Sequence, residues 1–407
     1  MHVGVDVASI ERIERALRRH PRFADRIYTP AEQRYCGGKA ERWASRWATK
    51  EAVRKLYGSA RTWLPAMREV EVVRGRGAPR IRVRGEETNI ALSITHDAGV
   101  AIAVVAAAHL QPMSAAPPPA LRLAARPADA HKGTFGRVVV IAGSRGFTGA
   151  PQLAALGAAR GGAGLVSVCV PEQIYEIVAA RCLEVMPSPL PDAGTGALHQ
   201  SALPVLRGAL QGAAAAVVGP GLGRAGDTAT ALLQLLPALP CAVVVDADGL
   251  NLAAAHGFDW HTVPHPVVIT PHPAEMARLV GADTRTVQAS RQEVAQRYAR
   301  EHGVTVVLKG AETIVAAPDG ATHVDAHRVV ALASGGTGDV LAGLLAALIA
   351  QGLQPFDAAV AAVTIHADAG VLVEARRGRA GALASDVIEA LPEAQERLRR
   401  ALERAAR

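Results

Sequence analysis

A glycine-rich segment near the C-terminus, Ala333–Gly343 (ASGGTGDVLAG), has the residue types of an anion-binding site. Its glycines allow backbone amides to converge, and the helix expected to begin near Asp339 points its positive end at the same loop. Asp339 could act as a base on a substrate hydroxyl. The structural alternative is a glycine-rich turn with an aspartate helix cap. The segment therefore favours phosphate chemistry but does not establish it alone.

Further polar or glycine-rich segments follow short apolar runs. Lys309 comes after VTVVL, and its ammonium could meet a phosphate or a nucleotide, the alternative being an exposed charge. Two acids in DADGLN follow AVVV, where structure alone would not need them. A histidine that could be purely structural, His272, follows PVVI, and Gly219–Gly223 (GPGLG) permits close approach of a ligand to the backbone.

Two acidic residues stand out in the first quarter of the chain. Asp6 ends the apolar run VGVD, and Glu51 lies in RWATKEAVRK, four residues before Lys55. A carboxylate pair can hold Mg²⁺, and a lysine beside it can neutralise phosphate charge. The alternative is an ordinary i,i+4 helix ion pair and an unrelated acid at the end of a strand.

Two different element patterns must position these residues. Residues 1–110 alternate short strands and amphipathic helices, which predicts an α+β domain. The proline-rich stretch 111–128 predicts a semi-stiff linker. Residues 129–407 alternate continuous apolar strands with helical stretches, which predicts a doubly wound α/β domain with a mainly parallel sheet. Ligands of such sheets bind beyond the carboxyl ends of the strands, where the polar segments lie.

Charge is distributed unevenly between these regions. The chain of 407 residues has a formal net charge of +7. Residues 1–110 hold 20 Lys and Arg against 12 Asp and Glu, whereas the remainder is close to neutral. The basic excess predicts an acidic partner for the first domain. Five arginines of the first predicted helix are the leading candidates for that contact: Arg12, Arg15, Arg18, Arg19 and Arg22.

Composition also excludes several classes of protein. Aromatic residues are only 3% of the chain, which weighs against single-stranded nucleic acid as a partner. Uninterrupted apolar runs stay below about 18 residues, so no membrane span is expected. The N-terminus does not resemble a signal peptide, and we expect a cytoplasmic protein. Four scattered cysteines are expected to be reduced, buried thiols: Cys36, Cys169, Cys182 and Cys241.

The motifs of residues 131–391 resemble the ADP- or ATP-dependent NAD(P)H-hydrate dehydratase family, which has a ribokinase-like fold. The matching pieces are HKGTFG (131–136), AGSRGFTGA (142–150), GPGLG, DADGLN, TPHPAEM, LKGAET and GGTGDVLAG. The resemblance implies that NADH-hydrate and NADPH-hydrate are dehydrated at the expense of ADP, giving AMP and phosphate. Sugar or vitamin kinases share the fold and the GxGD motif and remain the alternative.

The resemblance also implies residue roles, with Asp339 as the base that activates the hydroxyl. Four residues would contact the hydrated dinucleotide: Ala150, Gly223, His272 and Asp339. Six would contact the adenine nucleotide: Lys309, Gly310, Ala311, Glu312, Thr313 and Gly338. ADP is favoured over ATP as co-substrate, and Mg²⁺ is plausible without a protein ligand set that proves it. One departure is that residues 326–332 (AHRVVAL) replace the family's usual Gly-Asn-Pro turn.

Residues 1–107 resemble the holo-acyl-carrier-protein synthase family, a group of 4′-phosphopantetheinyl transferases. The matching pieces are GVDV (4–7), SRWATKEAVRK (45–55), GAPR (77–80) and SITHD (93–97). The resemblance implies transfer of 4′-phosphopantetheine from coenzyme A to a serine of apo acyl carrier protein. Asp6 and Glu51 would bind Mg²⁺, Lys55 would stabilise phosphate charge and contact coenzyme A, and His96 would line the coenzyme A pocket.

Four further points concern the N-terminal domain and the assembly. The chain is short after residue 87, where many transferase members carry a helix, and this departure could affect coenzyme A binding or assembly. The N-terminal domain could instead be a non-catalytic module for docking or assembly. It also stands where related dehydratases often carry an epimerase. Transferase members form trimers and dehydratase members other closed assemblies, so we expect a homo-oligomer of undetermined size.

Overall fold

The computed structural model describes residues 2–20, 22–59, 65–74, 78–83, 86–107 and 121–405. The chain divides into two compact units, Met1–Ala115 and Ala116–Arg407. Residues 111–120 of the predicted linker lie outside the described residues. From residue 121 the chain already belongs to the second unit, because Leu121 is buried in its core and Arg399 donates a 3.0 Å hydrogen bond to the carbonyl of Ala124.

The N-terminal unit is an α+β structure, as predicted. Its antiparallel sheets have the strand orders β1-β6-β5 and β2-β3-β4. The strands are β1 (His2–Ser9), β2 (Val70–Val73), β3 (Arg80–Val83), β4 (Glu86–Glu87), β5 (Ala91–Asp97) and β6 (Val100–Ala107). The helices are α1 (Ile10–Arg19), α2 (Phe23–Ile27), α3 (Pro30–Cys36) and α4 (Ala40–Ser59).

Helix α4 packs against β1 and β6 through small residues. Ala44, Ala48 and Ala52 recur every four residues and are fully buried, so the helix backbone comes close to the sheet. A Cβ on Gly4 would lie only 2.0 Å from the carbonyl oxygen of Ala52. This close approach requires glycine at position 4 of β1, and it fixes β1 against the turn of α4 that carries Glu51.

The other face of that sheet presents apolar side chains to solvent. Val3, Val5 and Val7 of β1 are 46%, 46% and 57% exposed, and Val104 of β6, directly opposite Val5, is 39% exposed. A row of exposed valines on adjacent strands is unusual for a surface that stays in water.

The C-terminal unit contains one nine-stranded sheet among its described residues, in the order β15-β14-β13-β12-β11-β10-β7-β8-β9. The strands from β13 to β9 in this order run parallel, and β14 and β15 add an antiparallel edge. The predicted mainly parallel doubly wound fold is confirmed. The sequence patterns did not indicate the antiparallel β14–β15 edge.

The strands of this unit are β7 (Arg137–Ile141), β8 (Leu165–Pro171), β9 (Met186–Leu190), β10 (Ala215–Val218), β11 (Ala242–Val245), β12 (Val267–Ile269), β13 (Thr305–Leu308), β14 (Thr313–Ala316) and β15 (Thr322–Asp325). The helices are α5 (Ala150–Arg160), α6 (Glu172–Ala179), α7 (Leu203–Ala209), α8 (Gly226–Leu235), α9 (Asp248–Ala255), α10 (Pro273–Leu279), α11 (Thr284–Ala289), α12 (Arg291–His302), α13 (Thr337–Ala350), α14 (Pro355–Arg377) and α15 (Ala384–Ala405).

Hydrophobic cores cover both faces of this sheet. Val138 and Val140 of β7 belong to the core that includes α5, α13, α14 and α15, whereas Val139 and Ile141 belong to the core on the opposite side. Burial on both faces explains why these strands are continuous apolar runs in the sequence. It also leaves only the strand ends available for polar chemistry.

Helix α14 is the one helix in the described part of the chain that is long and apolar enough to cross a membrane. It lies in the core of the C-terminal unit, and 83% of its most apolar window is buried there. A buried core helix passes the same length and hydropathy test, so α14 gives little support for a membrane span.

The four cysteines are free thiols, as expected. Cys36, Cys169 and Cys241 are buried, whereas Cys182 is only half-buried. Burial raises the pKa of Cys36 and Cys241 to about 11 and that of Cys169 to about 12. These three thiols are therefore poor nucleophiles at neutral pH.

Candidate active sites

The carboxyl ends of β11, β12 and β13 bring three polar side chains together. Asp246 follows β11 and is 1% exposed. Its Oδ1 accepts hydrogen bonds from Nζ of Lys309, at 2.6 Å, and from Oγ1 of Thr270, at 2.8 Å. Because these strands are neighbours in a parallel sheet, residues about 60 positions apart in the sequence meet at one edge.

The glycine-rich loop closes over this group. Gly336 adopts φ +88°, which glycine tolerates and which starts helix α13 at Thr337. A Cβ on Gly338 would lie 3.3 Å from Nζ of Lys309 and 3.8 Å from Oδ2 of Asp246. The first turn of α13, which also carries Asp339, therefore lies directly against the lysine.

Electrostatics tune two carboxyl groups of this cluster toward neutral pH. Burial, reinforced by the charge of Asp246, raises the pKa of Asp339 to about 7. Burial likewise raises the pKa of Glu275 to about 7, although Lys309 opposes that shift. Burial lowers the pKa of Lys309, but Asp246 and Glu275 outweigh it and the net pKa is raised. The lysine stays charged, and Asp339 has the pKa of an effective general base.

His272 caps helix α10 at the edge of the cluster. Its Nδ1 accepts hydrogen bonds from the backbone N–H groups of Ala274, at 3.1 Å, and Glu275, at 3.4 Å. Burial and the charges of Lys309 and Arg278 lower the pKa of His272. The imidazole is therefore neutral with its proton on Nε2, which lies 3.3 Å from Oε1 of Glu275, and the ring is 48% exposed at the edge of the site.

A second wall of the site joins two predicted dinucleotide contacts. The backbone N–H of Gly223 donates to Oδ2 of Asp248 at 3.0 Å. Ser144 Oγ donates to the carbonyl of Gly221 at 2.8 Å, and a Cβ on Gly221 would lie 3.1 Å from that of Ala150. A Cβ on Gly336 would lie 2.4 Å from Cδ1 of Leu153, on the helix that begins with Ala150, so this wall adjoins the glycine-rich loop.

The segment Lys309–Thr313 is held by a residue that the sequence patterns did not reveal. Nη2 of Arg291, on α12, donates to the carbonyls of Leu308, Lys309 and Glu312 at 3.1, 3.3 and 3.0 Å. Gly310 leaves space for this guanidinium, because a Cβ there would lie 2.5 Å from Nη2. No motif marks Arg291, since only the folded backbone brings the three carbonyls together.

The structure thus brings most predicted residues of the C-terminal unit to one edge. Lys309, Gly338, Asp339 and His272 share the electrostatic cluster, and Ala150 and Gly223 share the facing wall. Sequence reasoning missed the roles of Thr270, Glu275 and Arg291. Thr270 and Glu275 belong to the motif TPHPAE, in which only the histidine was predicted to contact a ligand.

The N-terminal unit brings Asp6 and Lys55 together. Lys55 Nζ donates to Oδ1 of Asp6 at 2.7 Å and to the carbonyl of Val5 at 3.2 Å. The i,i+4 alternative predicted an ion pair between Glu51 and Lys55, and the structure does not show it. Instead, Oε1 of Glu51 accepts a hydrogen bond from Nη1 of Arg54 at 2.9 Å. Asp6 therefore lies on β1 and Glu51 on α4, two elements that pack together, and the side chain of Lys55 extends from α4 to Asp6 on β1.

Asp6, which is paired with Lys55, and Glu51, on the helix packed against β1, are residue types that suit Mg²⁺ bound together with substrate phosphates. Groups of three or more metal-ligating side chains are not found in the described residues, so the substrate would have to complete the coordination. His96 lies on β5, which β6 separates from β1, about 10 Å across the sheet from the strand of Asp6. The described chain does not bring His96 to the Asp6 group.

The lysine preceding Glu51 is structural. Lys50 is fully buried, and its Nζ lies 2.7 Å from Oε2 of Glu32 and 3.0 Å from the carbonyl of Met67. Burial lowers the pKa of Lys50, although Glu32 opposes that shift. The segment RWATKEAVRK therefore combines a lysine of a core ion pair, Lys50, with an exposed lysine, Lys55, on a later turn of α4.

Comparison with known proteins matches these two units separately. Residues 138–393 match the family model described as NAD(P)H-hydrate dehydratase, and residues 2–105 match that of the 4′-phosphopantetheinyl transferase superfamily. The bifunctional NAD(P)H-hydrate repair enzyme Nnr of Moorella thermoacetica is 40% identical over 67% of this chain and 51% of its own length. The Escherichia coli enzyme of the same name is 38% identical over 64% of this chain and 48% of its own length.

This chain therefore spans about half the length of the curated relatives it matches. An ADP/ATP-dependent NAD(P)H-hydrate dehydratase from Bacillus subtilis, co-crystallised with ATP/Mg²⁺, aligns with a TM-score of 0.58 and 29% identity. The alignment covers 68% of this chain and 94% of that structure. The C-terminal unit accordingly has the ribokinase-like fold. With a family model matching more than half of its residues, the chain belongs to the NAD(P)H-hydrate dehydratase family.

Proposed function

We propose that the C-terminal unit dehydrates NADH-hydrate and NADPH-hydrate at the expense of ADP, with release of AMP and phosphate. The observation that carries this proposal is the contact between the glycine-rich loop and Lys309 beside Asp339, whose pKa is raised to about 7. A charged lysine, helix-end amides and a carboxylate near neutrality are what phosphoryl transfer to a hydroxyl needs.

In this mechanism Asp339 accepts the proton of the substrate hydroxyl while that oxygen attacks the terminal phosphorus of ADP. The bond from phosphorus to the bridging oxygen breaks and AMP leaves. Elimination of the phosphate from the ring, with loss of a ring proton, restores the carbon–carbon double bond. Lys309 and the amides of the loop stabilise the charge on the transferred group. Mg²⁺ would add charge neutralisation at the phosphates, held mainly by the nucleotide.

The remaining predicted residues receive binding roles. Ala150, Gly223 and His272 would contact the hydrated dinucleotide, which fits their place on the facing wall and at the start of α10. Lys309 to Thr313 and Gly338 would contact ADP, and the three carbonyl contacts of Arg291 keep that segment in shape. Gly310, Ala311 and Thr313 would do so largely through backbone groups, because the first two have almost no side chain.

The test is recovery of reduced-dinucleotide absorbance from purified hydrate, with ADP, ATP or no nucleotide, alongside assay of AMP and phosphate. Equal amounts of reduced dinucleotide, AMP and phosphate are expected with ADP. A small-molecule kinase would instead leave phosphate on an added alcohol substrate. No nucleotide-dependent recovery, together with transfer to a sugar or vitamin hydroxyl, would contradict the dehydratase proposal.

We further propose that the N-terminal unit transfers 4′-phosphopantetheine from coenzyme A to apo acyl carrier protein. The 2.7 Å contact between Lys55 and Asp6 carries this second proposal. Asp6 and Glu51 would hold Mg²⁺, which supplies charge stabilisation at the pyrophosphate of coenzyme A. Lys55 would leave Asp6 for the developing phosphate charge, because its side chain is 55% exposed and can move.

The discriminating experiment is coenzyme A-dependent mass gain by apo acyl carrier protein. We expect a phosphopantetheine mass with the natural chain and none with Lys55→Met, whereas Lys39→Met serves as the control. Absence of any gain with several carrier proteins would favour a non-catalytic docking or assembly module.

A homo-oligomer would explain two features of the N-terminal unit. His96 is remote from Asp6 within one chain, and the valine row of β1 and β6 faces solvent. A second copy covering the valine face would bury those side chains. Asp6 and His96 lie on the opposite face of the sheet, so a separate contact at the β5 edge would have to bring His96 to a neighbouring Asp6. Mass measurement in solution tests this, with Val5→Lys expected to shift the chain toward monomer.

Acyl carrier protein would dock on the basic first helix under this proposal. Arg12, Arg15, Arg18 and Arg19 lie on α1 and are exposed, whereas Arg22 was wrongly predicted to belong to this helix, because α1 ends at Arg19 and Arg22 immediately precedes α2. Arg15 pairs with Glu11, and Arg18 pairs with Glu14. Charge reversal at Arg12 and Arg19 should therefore weaken binding more than reversal at Arg15 and Arg18.

A cytoplasmic location fits the free thiols of the described cysteines.

A further inference from the structure

Residues 326–332, which we call the strap, run from β15 to the glycine-rich loop and lie along helix α14. A Cβ on Gly370 of α14 would lie 2.8 Å from side-chain atoms of both Val329 and Leu332, so glycine is needed for this close packing. The backbone N–H of Ala331 donates to Oε1 of Glu374 at 2.9 Å. The strap is thus packed and hydrogen-bonded as part of the C-terminal unit.

One end of the strap is fixed by a buried imidazole between two carboxylates. Nδ1 of His327 lies 2.7 Å from Oδ1 of Asp325, and its Nε2 lies 3.4 Å from Oδ1 of Asp368. The side chains of Asp325 and Asp368 are only 5% and 4% exposed, and that of His327 is 14% exposed. Both ring nitrogens face acceptors, so the ring is held as a cation that joins β15 to α14.

The strap also contacts both parts of the proposed nucleotide site. Arg328 forms an ion pair with Glu312, in the segment Lys309–Thr313. At the other end, Oγ1 of Thr337 donates to the carbonyls of Leu332, at 2.8 Å, and Ser334, at 2.9 Å. Thr337 begins helix α13 two residues before Asp339. A displaced strap would therefore move the nucleotide segment and the start of α13 together.

We propose that His327 is a positioning residue of the nucleotide site, which holds the strap so that Arg328 and Thr337 keep the nucleotide-binding segments in place. This inference rests on the proposed use of ADP by the same site. His327 does not touch the reacting atoms in this view. Without His327, the strap is less ordered before the nucleotide binds. Nucleotide binding must then order the strap, and the free energy that this costs weakens nucleotide binding.

The test compares steady-state constants of the full chain with those of His327→Gln and Asp368→Asn at a temperature well below unfolding. Ordering about one residue of backbone costs roughly tenfold in binding, so KM for ADP should rise by about that factor. kcat and KM for the hydrated dinucleotide should stay within about twofold. The double variant should be no worse than either single variant, because both break one bridge.

His323→Gln is the matched control. His323 lies on β15, four residues before His327, is also half-buried, and its Nε2 has no hydrogen-bond partner among the described residues. It should leave KM for ADP unchanged. A purely structural His327 would lower the melting temperature and leave KM for ADP as it is, and that result would overturn the inference.

Two further measurements keep the outcomes separate. If His327→Gln does not fold, Asp368→Asn and Arg328→Ala decide, because Arg328 is 73% exposed and its loss should not unfold the chain. Unchanged KM for ADP in both variants would overturn the inference. Calorimetric titration with ADP alone reports on the strap without turnover. Absence of dehydration in the natural chain would therefore count against the proposed function only.

Discussion

Lys309 and Asp246 form the central ion pair of the C-terminal site, with Nζ of the lysine 2.6 Å from Oδ1 of an aspartate that is 1% exposed. The pair joins the ends of β13 and β11, and β12 supplies Thr270 between them. One lysine thus satisfies a buried acid and holds a positive charge next to the glycine-rich loop. Structure and proposed chemistry depend on the same ammonium.

Replacing Lys309 by Met should therefore damage both stability and nucleotide use. The variant leaves Asp246 buried without its cation, and breaking such a pair costs about 3 kcal/mol. Urea unfolding should show this loss, and KM for ADP should rise. Lys132→Met is the control for losing an exposed lysine. If Lys309→Met and Asp246→Asn together are as unstable as Lys309→Met alone, the buried charge is not the cause.

Asp339→Asn should abolish dehydration and stabilise the fold. Loss of a general base costs about a hundred- to ten-thousandfold in rate. The pKa of Asp339 is raised from 3.8 to about 7, so the folded state disfavours its charged form. That cost is absent below the unfolded pKa and complete above the folded pKa. The stability gain of the variant should thus be near zero at about pH 4 and largest above pH 7, measured by urea unfolding.

Asp357→Asn is the matched control for this variant. Asp357 is the third residue of α14, as Asp339 is the third residue of α13, so both changes remove an acid from the first turn of a helix. Asp357→Asn should keep full activity and gain no stability. Near-natural dehydration by Asp339→Asn would refute its role as base.

The raised pKa of Asp339 also predicts how the activity falls on the acid side of its pH profile, the acid limb. Below about pH 7 Asp339 takes up a proton and kcat/KM for the hydrated dinucleotide should fall about tenfold per pH unit. Glu275, with a pKa near 7, titrates in the same range, so the limb reports the coupled pair. Glu275→Gln removes a negative neighbour and should move the limb to lower pH. A flat profile between pH 5 and 8 would exclude Asp339 as the essential base.

How far the sequence predicts this molecule depends on the range of the interactions involved. The parallel strands and the polar residues at their ends follow from local patterns, because burial on both faces leaves continuous apolar runs. Lys309 and Asp339 could be expected at one sheet edge for the same reason. The three carbonyl contacts of Arg291 and the bridge at His327 could not, since each joins side chains to backbone or acids far away in the sequence. In the N-terminal unit, helical spacing paired Glu51 with Lys55, but the packing of β1 against α4 redirected that lysine to Asp6.

Ala247 is strained between the two acids Asp246 and Asp248. Its φ of 51° with ψ of −119° is a conformation that L-residues rarely adopt, and it positions Asp248 at the start of α9. Ala247→Gly should raise the free energy of unfolding by about 1 kcal/mol, because glycine takes up this conformation without strain. Urea unfolding measures it, with Ala254→Gly, inside α9, expected to lose about 1 kcal/mol. Equal losses in both variants would show that position 247 carries no strain.

His327 predicts a pH-dependent contribution to stability that is separate from catalysis. Burial lowers its pKa, but the hydrogen bonds to Asp325 and Asp368 outweigh burial and raise it from 6.5 to about 10. The other titratable groups nearby are His323, whose pKa is lowered by burial, and His366, whose pKa falls to about 4. Both are neutral throughout the alkaline range and cannot replace the cation.

The linkage between proton binding and folding gives the direction in which this stability changes with pH. A raised folded pKa gives stability that is complete below pH 6.5 and is lost as pH rises through about 10. The difference in unfolding free energy between the natural chain and His327→Gln should therefore shrink steadily from pH 7 to pH 10. Tyrosines and lysines that titrate at high pH are common to both chains and cancel in that difference. A difference that stays constant over this range would mean that His327 is neutral in the folded protein, and the bridge would then be an ordinary hydrogen bond.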